Sequence, residues 1–142
     1  MDIVRCNCLA LRKATRKTTQ LYDTAPADAG VRSTQYHVLA HLDRQPQGDT
    51  IGGIASALVI DRITIGHSLK PLEREGSIET RVGKDRRLRL IALTTCGVAE
   101  LEATKPLWMR AQRKFETKFG ADYAKKLRHD LDHIADDCPS FD

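Results

Sequence analysis

The segment SIETRVGKDRRLRLIALT, residues 77–94, contains two strand-like stretches separated by a turn. Ser77 to Arg81 and Leu88 to Leu93 are rich in β-branched and apolar residues, and Gly83-Lys84-Asp85 between them is typical of a turn. The segment therefore predicts a two-stranded antiparallel hairpin. Three basic residues fall at or beside its tip: Lys84, Arg86 and Arg87.

Two short helices are predicted directly before this hairpin. The first covers about Ile51 to Leu58, and the second starts after Asp61, whose side chain can cap it. The second helix should run to about Glu75, with Gly76 as its C-terminal stop. Its apolar residues are spaced by four and then three, which places them on one helical face: Ile65, Leu69 and Leu72.

Longer helices are predicted on both sides of this unit. One covers residues 3–22, and another begins with Ser33 as its N-cap. After the hairpin a long helix extends from Thr94 to Gly120, and Pro106 inside it must kink or split it. A last helix covers 121–137. The fold class is thus mainly α, an α+β winged helix-turn-helix in the order α-α-α-α-β-β-α-α.

This arrangement predicts DNA binding, because the major groove of DNA is wide enough to admit one α-helix. The helix after Asp61 should enter the groove with its N-terminal half. Its polar face supplies five candidate DNA-contacting residues: Arg62, Thr64, His67, Ser68 and Lys70. The basic tip of the hairpin should reach the neighbouring backbone or the minor groove.

Two stretches carry a family resemblance. Residues 85–94, DRRLRLIALT, fit the pattern D-x-R-x-x-x-x-x-L-T, and residues 72–78, LEREGSI, fit the pattern L-E-x-x-G-x-I. Together with Gly97 and Leu101 after the hairpin, they resemble the MarR family of bacterial transcription regulators over about residues 30–120. The chain departs from the family pattern at Gly53, where an acidic residue is common, and at Thr80, where an arginine is common and Arg81 follows one position later.

The resemblance implies roles for particular residues. The wing arginine, here Arg87, would enter the minor groove, and Asp85 would orient it through a salt bridge. The family also implies a homodimeric regulator, more often a repressor, that binds an inverted-repeat operator. Residues 1–142 would form one domain, in which 33–94 bind DNA and the helical parts of 1–30 and 95–142 pair two chains.

The resemblance implies two alternative modes of regulation, by a small-molecule effector or by thiol oxidation. Relatives bind aromatic or phenolic effectors between the dimer region and the winged domain, so a small-molecule cleft is expected at Arg16, Trp108 and Gln112, although a tryptophan on an apolar helical stripe is more often simple core. Some relatives sense peroxides through a cysteine in the first helix. The alternative is therefore a thiol-based redox switch at Cys6 or Cys8, against the plain reading of one buried and one exposed thiol.

Composition agrees with a DNA partner. The formal net charge is +4 and the isoelectric point about 9.0, and residues 61–89 hold eight Lys or Arg against five Asp or Glu. No nucleophile elbow, phosphate loop or HExxH segment is present, so no enzyme is expected. The His37/His41 and His129/His133 pairs lack a further ligand, so no metal or cofactor is expected. With no apolar run of eighteen residues and no signal-peptide core, we expect a cytoplasmic protein without a membrane partner.

Overall fold

The hairpin predicted from residues 77–94 is present. In the computed structural model, which describes residues 3–24 and 30–139, β1 (Ile78–Val82) pairs antiparallel with β2 (Arg89–Leu93). The register places Ile78 opposite Leu93 and Thr80 opposite Ile91. We call these two strands and the tip between them, residues 83–88, the wing.

The rest of the described chain is mostly helical, in the predicted order. The helices are α1 (Asn7–Thr24), α2 (Ser33–Asp43), α3 (Ile51–Leu58), α4 (Arg62–Arg74), α5 (Thr95–Phe119) and α6 (Ala121–Asp137). The winged helix-turn-helix fold class is confirmed. Within the described residues no helix is both long enough and apolar enough to cross a membrane. Parts of the predicted 1–30 and 95–142 regions, at residues 1–2, 25–29 and 140–142, lie outside the described residues.

Two predicted helix starts were wrong. The first helix does not run unbroken from residue 3, because a short 3₁₀ turn covers Ile3–Arg5 and α1 begins only at Asn7. For α2 the N-cap is Arg32 rather than Ser33. The Arg32 backbone N–H donates to Gln35 Oε1 at 2.9 Å, and the Ser33 N–H donates to Asp23 Oδ1 at 2.8 Å. Ser33 therefore lies one position inside the helix.

Helix α5 remains one continuous helix across Pro106 over its 25 residues, so it is not split. Its N-cap is Thr94, whose hydroxyl oxygen accepts the Gly97 N–H at 3.0 Å. Gly120 ends α5 with a φ of +94°, a conformation that favours glycine. The helix packs against α1, α2 and α6, so it connects the winged unit, formed by α2, α3, α4 and the wing, with the outer helices α1 and α6.

The hydrophobic core lies within the winged unit. Its most enclosed members come from α2, α3, α4 and the start of α5: Val38, Leu39, Ile54, Ile65, Leu72 and Leu101. The outer helices contribute almost nothing to it, because α1 has no buried residue and α6 has only Ala124. Their apolar side chains therefore remain at the surface of a single chain.

Candidate nucleic-acid interface

Helix α4 begins as its sequence predicts. Asp61 Oδ1 accepts the Thr64 backbone N–H at 2.9 Å, and Asp61 Oδ2 accepts the Thr64 hydroxyl at 2.7 Å. These hydrogen bonds hold the pKa of Asp61 below its usual range. At the other end Gly76 follows the C-cap with a φ of +77°. The cap and the stop together set the length of the candidate recognition helix.

The five candidate residues of α4 differ in how exposed their side chains are and in whether they have a free hydrogen-bond donor. Arg62, His67 and Lys70 are exposed. Thr64 is exposed too, but its hydroxyl proton is directed to Asp61, so towards DNA it can only accept. Ser68 is half-buried and its hydroxyl donates to the Thr64 carbonyl at 3.1 Å. We therefore expect Arg62, His67 and Lys70 to supply the donors of this face.

The tip of the wing is a tight turn with outward basic side chains. The Gly83 N–H donates to the Leu88 carbonyl at 3.0 Å, and the Leu88 N–H donates to the Asp85 carbonyl at 2.9 Å. Lys84, Arg86 and Arg87 are exposed, and none of the three forms an ion pair with a described residue. Their charges are therefore available to an outside partner.

The ion pair expected between Asp85 and Arg87 is not formed among the described contacts. Asp85 Oδ1 instead accepts the Arg87 backbone N–H at 3.0 Å. This is an Asp side chain bonding the backbone two residues on, which stabilises the turn. Asp85 thus shapes the tip, and the guanidinium of Arg87 has no ion-pair partner in the part of the chain that the structure describes.

Arg81 lies apart from the predicted contacts. Its guanidinium pairs with Glu79 at 2.6 Å, on the same face of β1. Thr80 lies on the opposite face of the strand, because side chains alternate along it. The charge of Arg81, within strand β1 of the wing, is thus neutralised by Glu79.

A histidine and an aspartate that the sequence analysis did not select attach the wing to the helices. Asp49 forms an isolated bridge with Ile91 of β2, with N–O distances of 2.9 and 2.7 Å. Its carboxylate accepts the Thr50 N–H and lies 2.8 Å from His41 Nε2. A Cβ on Gly53 would come within 2.0 Å of Asp49 Oδ1, which explains why glycine stands there. The only signal of this contact in the sequence was Gly53, at a position where an acidic residue is common in the family pattern.

Trp108 and Gln112 line a cleft of about 300 Å³ between α1, α2 and α5. Trp108 stacks on Tyr36 with ring centroids 4.3 Å apart, and Tyr22 lies 4.7 Å from it. The Tyr22 hydroxyl donates to Gln112 Oε1 at 2.5 Å. Burial raises the pKa of Tyr22, and the nearby Glu116 carboxylate raises it further, against the opposing effect of Arg128, so the phenol stays protonated.

Arg16, the third residue expected in this cleft, lies elsewhere. It lines a separate groove of about 850 Å³ between α1 and the end of α6, together with Cys8, Ile134 and Cys138. Cys6 precedes α1, and its sulfur accepts the Leu9 N–H at 3.5 Å. The two cysteines of the C-x-C pair are thus a half-buried thiol before the helix and an exposed thiol in the groove.

An exposed basic wing beside a capped helix, joined to a three-helix core, defines a winged helix-turn-helix DNA-binding regulator. Neither a protein-family model nor a curated protein matches the chain. Solved structures do match the chain. The transcriptional regulator MosR of M. tuberculosis, in complex with DNA, is 28% identical over 96% of this chain and 100% of its own, with a TM-score of 0.80.

Two further structures are the transcriptional repressor CouR. One is bound to a 23-mer DNA duplex and is 27% identical over 94% of this chain and 95% of its own, with a TM-score of 0.85. The other, from Rhodococcus jostii RHA1, is bound to p-coumaroyl-CoA and is 23% identical over 99% of this chain and 96% of its own, with a TM-score of 0.80. The wing pattern predicted a resemblance to the MarR family, and this is confirmed: the structural neighbours of the chain are MarR family transcriptional regulators.

Proposed function

We propose that this protein is a homodimeric repressor that binds an inverted-repeat operator through α4 and the wing. One observation carries the proposal: α4 packs against strand β1 of the wing, the polar face of α4 and the basic tip are both exposed, and the tip cations have no ion-pair partner among the described residues. Arg62, His67 and Lys70 approach the major groove, whereas Lys84, Arg86 and Arg87 approach the adjacent backbone or minor groove. Residues 33–94 are the DNA-binding region.

The outer helices, within 1–30 and 95–142, pair two copies of the chain. The stripe on α6 is partly or largely exposed in a single chain: Tyr123, Leu127, Leu131 and Ile134. Leu11 of α1 is exposed as well. A contiguous exposed apolar surface of this kind marks an interaction site. A second copy covers it and places two recognition helices about one helical turn of DNA apart.

We expect the purified chain to behave in light scattering as a particle of twice its 15.9 kDa mass. Leu131→Glu should convert it to monomers, because a charge would then lie in the apolar interface. The variant should bind an operator selected from random-sequence DNA roughly 100-fold more weakly, since the two half-sites are no longer linked.

Lys125→Glu is the matched control, because Lys125 is exposed on α6 and lies about 120° around the helix from Leu131, away from the apolar stripe. It should remain dimeric and bind the operator within a few-fold of the unmodified chain. A monomeric unmodified chain that still protects two half-sites would contradict the proposed pairing through the outer helices.

A small aromatic effector releases the repressor by binding the Trp108 cleft. The lining residues include aromatic rings and neutral polar groups but no Lys or Arg: Thr18, Thr19, Tyr22, Ser33, His37, Trp108 and Gln112. Partial burial lowers the pKa of His37, opposed by the Asp23 carboxylate, which favours the neutral imidazole. The cleft therefore suits an uncharged phenol better than an anionic CoA thioester of the kind CouR holds.

The thiol alternative is supported by a different observation. Cys8 and Cys138 both line the groove between α1 and α6, and both are exposed free thiols. Oxidation of Cys6 or Cys8 by a peroxide would place a polar sulfenic acid at the surface where α1 pairs with the second copy. Release from DNA would then follow a change of the dimer rather than occupation of the cleft.

One experiment separates the two modes of release. Uncharged single-ring phenols should quench the fluorescence of Trp108, the only tryptophan, and release the operator at the same concentrations. Hydrogen peroxide should leave DNA binding unchanged. If peroxide releases the operator and the Cys6→Ser or Cys8→Ser variant resists it, the redox switch is correct and the effector proposal is wrong.

A further inference from the structure

The outward face of α4 carries an exposed apolar residue that its basic neighbours do not explain. Ile65, Leu69 and Leu72 face the core, whereas Ile63 is 76% exposed. Two residues along a helix correspond to a rotation of about 200°, so Ile63 points away from the core. Gly66 and His67 follow it by three and four residues and therefore share its face.

Gly66 lies on this face for no reason internal to the protein. Its φ is not positive, and beyond its chain neighbours and the backbone of its own helix a Cβ there would meet no atom within 4 Å. Gly97, by contrast, is required because a Cβ would collide with the Ser77 carbonyl. In a helix interior glycine is about 1 kcal/mol less favourable than alanine. The missing side chain therefore leaves room for a surface outside the chain.

We propose that Ile63 and Gly66 form a flat apolar surface that receives the C5-methyl group of a thymine in each half-site of the operator. In the major groove the thymine methyl is the apolar group that a base edge presents. Arg62 and Lys70 flank this surface on α4 and can hold the phosphates on either side. The inference rests on the proposed role of α4 as the recognition helix.

Gly66 allows the backbone of α4 to approach the base, and Ile63 packs against the methyl group. Ile63 and Gly66 also line a recess of about 440 Å³ with Ile51 of α3 and with Ile78 and Ile91 of the wing strands, so apolar side chains continue from this surface towards α3 and the wing. The neighbouring His67 and Lys70 supply hydrogen-bond donors at its edge. The surface thus selects an A·T pair at one position, with polar readout beside it.

The test uses an operator selected from a random-sequence duplex pool by the full-length protein, with each thymine replaced in turn by deoxyuridine. This exchange removes only the methyl group. We expect one thymine in each half-site to lower the affinity about fourfold when it is exchanged, the effect of one buried methyl group. Ile63→Ala removes the contact in both half-sites of a dimer, so it should lower the affinity for the thymine operator roughly 16-fold and abolish the sensitivity at that position alone.

Gly66→Ala supplies an independent readout. It should raise the melting temperature by roughly 3 °C, because alanine favours the helix. It should also weaken operator binding about tenfold, while binding to a scrambled duplex of the same length is unchanged. This combination separates a steric effect at the DNA from a defect in folding.

The inference is overturned if the selected half-sites contain no thymine, if Ile63→Ala leaves the deoxyuridine sensitivity intact, or if Gly66→Ala binds the operator normally. In those cases tight operator binding by the unmodified chain would still support the proposed function. If the selection enriches no duplex at all, the proposed function and this inference both fail.

Discussion

Arg87→Ala is expected to lower the affinity for the selected operator roughly 100-fold, from the loss of a contact of about 1.4 kcal/mol in each of two half-sites. The guanidinium of Arg87 is exposed at the wing tip and has no ion-pair partner among the described residues. A narrow minor groove has an enhanced negative potential that attracts such a cation. Gel-shift titration at two salt concentrations measures the loss.

The fold should be unaffected, because Asp85 holds the tip through the Arg87 backbone N–H and not through its side chain. The melting temperature of Arg87→Ala should therefore match that of the unmodified chain. Arg81→Ala is the matched control: it removes a neighbouring positive charge that Glu79 already neutralises, and it should bind DNA within a few-fold of normal. Normal operator binding by Arg87→Ala would show that the wing is not a DNA contact.

Gly97→Ala is expected to destabilise the protein by about 3 kcal/mol, at the upper end for overpacking. A Cβ at this position would lie 1.9 Å from the Ser77 carbonyl oxygen and 3.0 Å from Leu93 Cδ2. The Ser77 oxygen is fixed because it accepts the Thr94 N–H at 3.1 Å, and the Ser77 hydroxyl donates to Glu100. The first turn of α5 would have to move away from the base of the wing.

Thermal denaturation should show a fall in melting temperature of roughly 10 °C for a chain of this length. Gly66→Ala is the control from the same protein, since the same substitution meets open space there and should not lower the melting temperature. A Gly97→Ala variant as stable as the unmodified chain would mean that α5 and the wing can separate without cost, which would contradict the close approach of Gly97 to Ser77.

The boundaries of the winged unit were predictable because they depend on local interactions. Asp61 caps α4, Gly76 ends it, and the hairpin lies within one residue of its predicted ends. Each of these signals acts over a few residues of chain, so the sequence contains the whole cause. The Ser33 cap was wrong because Arg32 and Gln35 satisfy the same backbone groups one position earlier.

Contacts between segments far apart in the chain could not be predicted from such local signals. The placement of Arg16 away from Trp108 depends on which way α1 faces when it packs on α5, and helical spacing does not define that rotation. The Asp49–Ile91 bridge and the His41–Asp49 pair join residues whose proximity arises only when the wing folds back onto α2. The ion pair predicted between Asp85 and Arg87 is also absent among the described contacts, because the Asp85 carboxylate accepts the backbone N–H of Arg87 instead.

The sequence by itself determined the winged helix-turn-helix class, the order of its elements and the basic character of the wing, since periodicity, capping residues and charge are properties of short segments. Only the tertiary structure decided which apolar stripes are core and which remain exposed. The stripe of α4 is buried, while those of α1 and α6 remain at the surface of a single chain. The physical reason is that burial depends on the packing of elements far apart in the chain, which an amphipathic pattern does not specify.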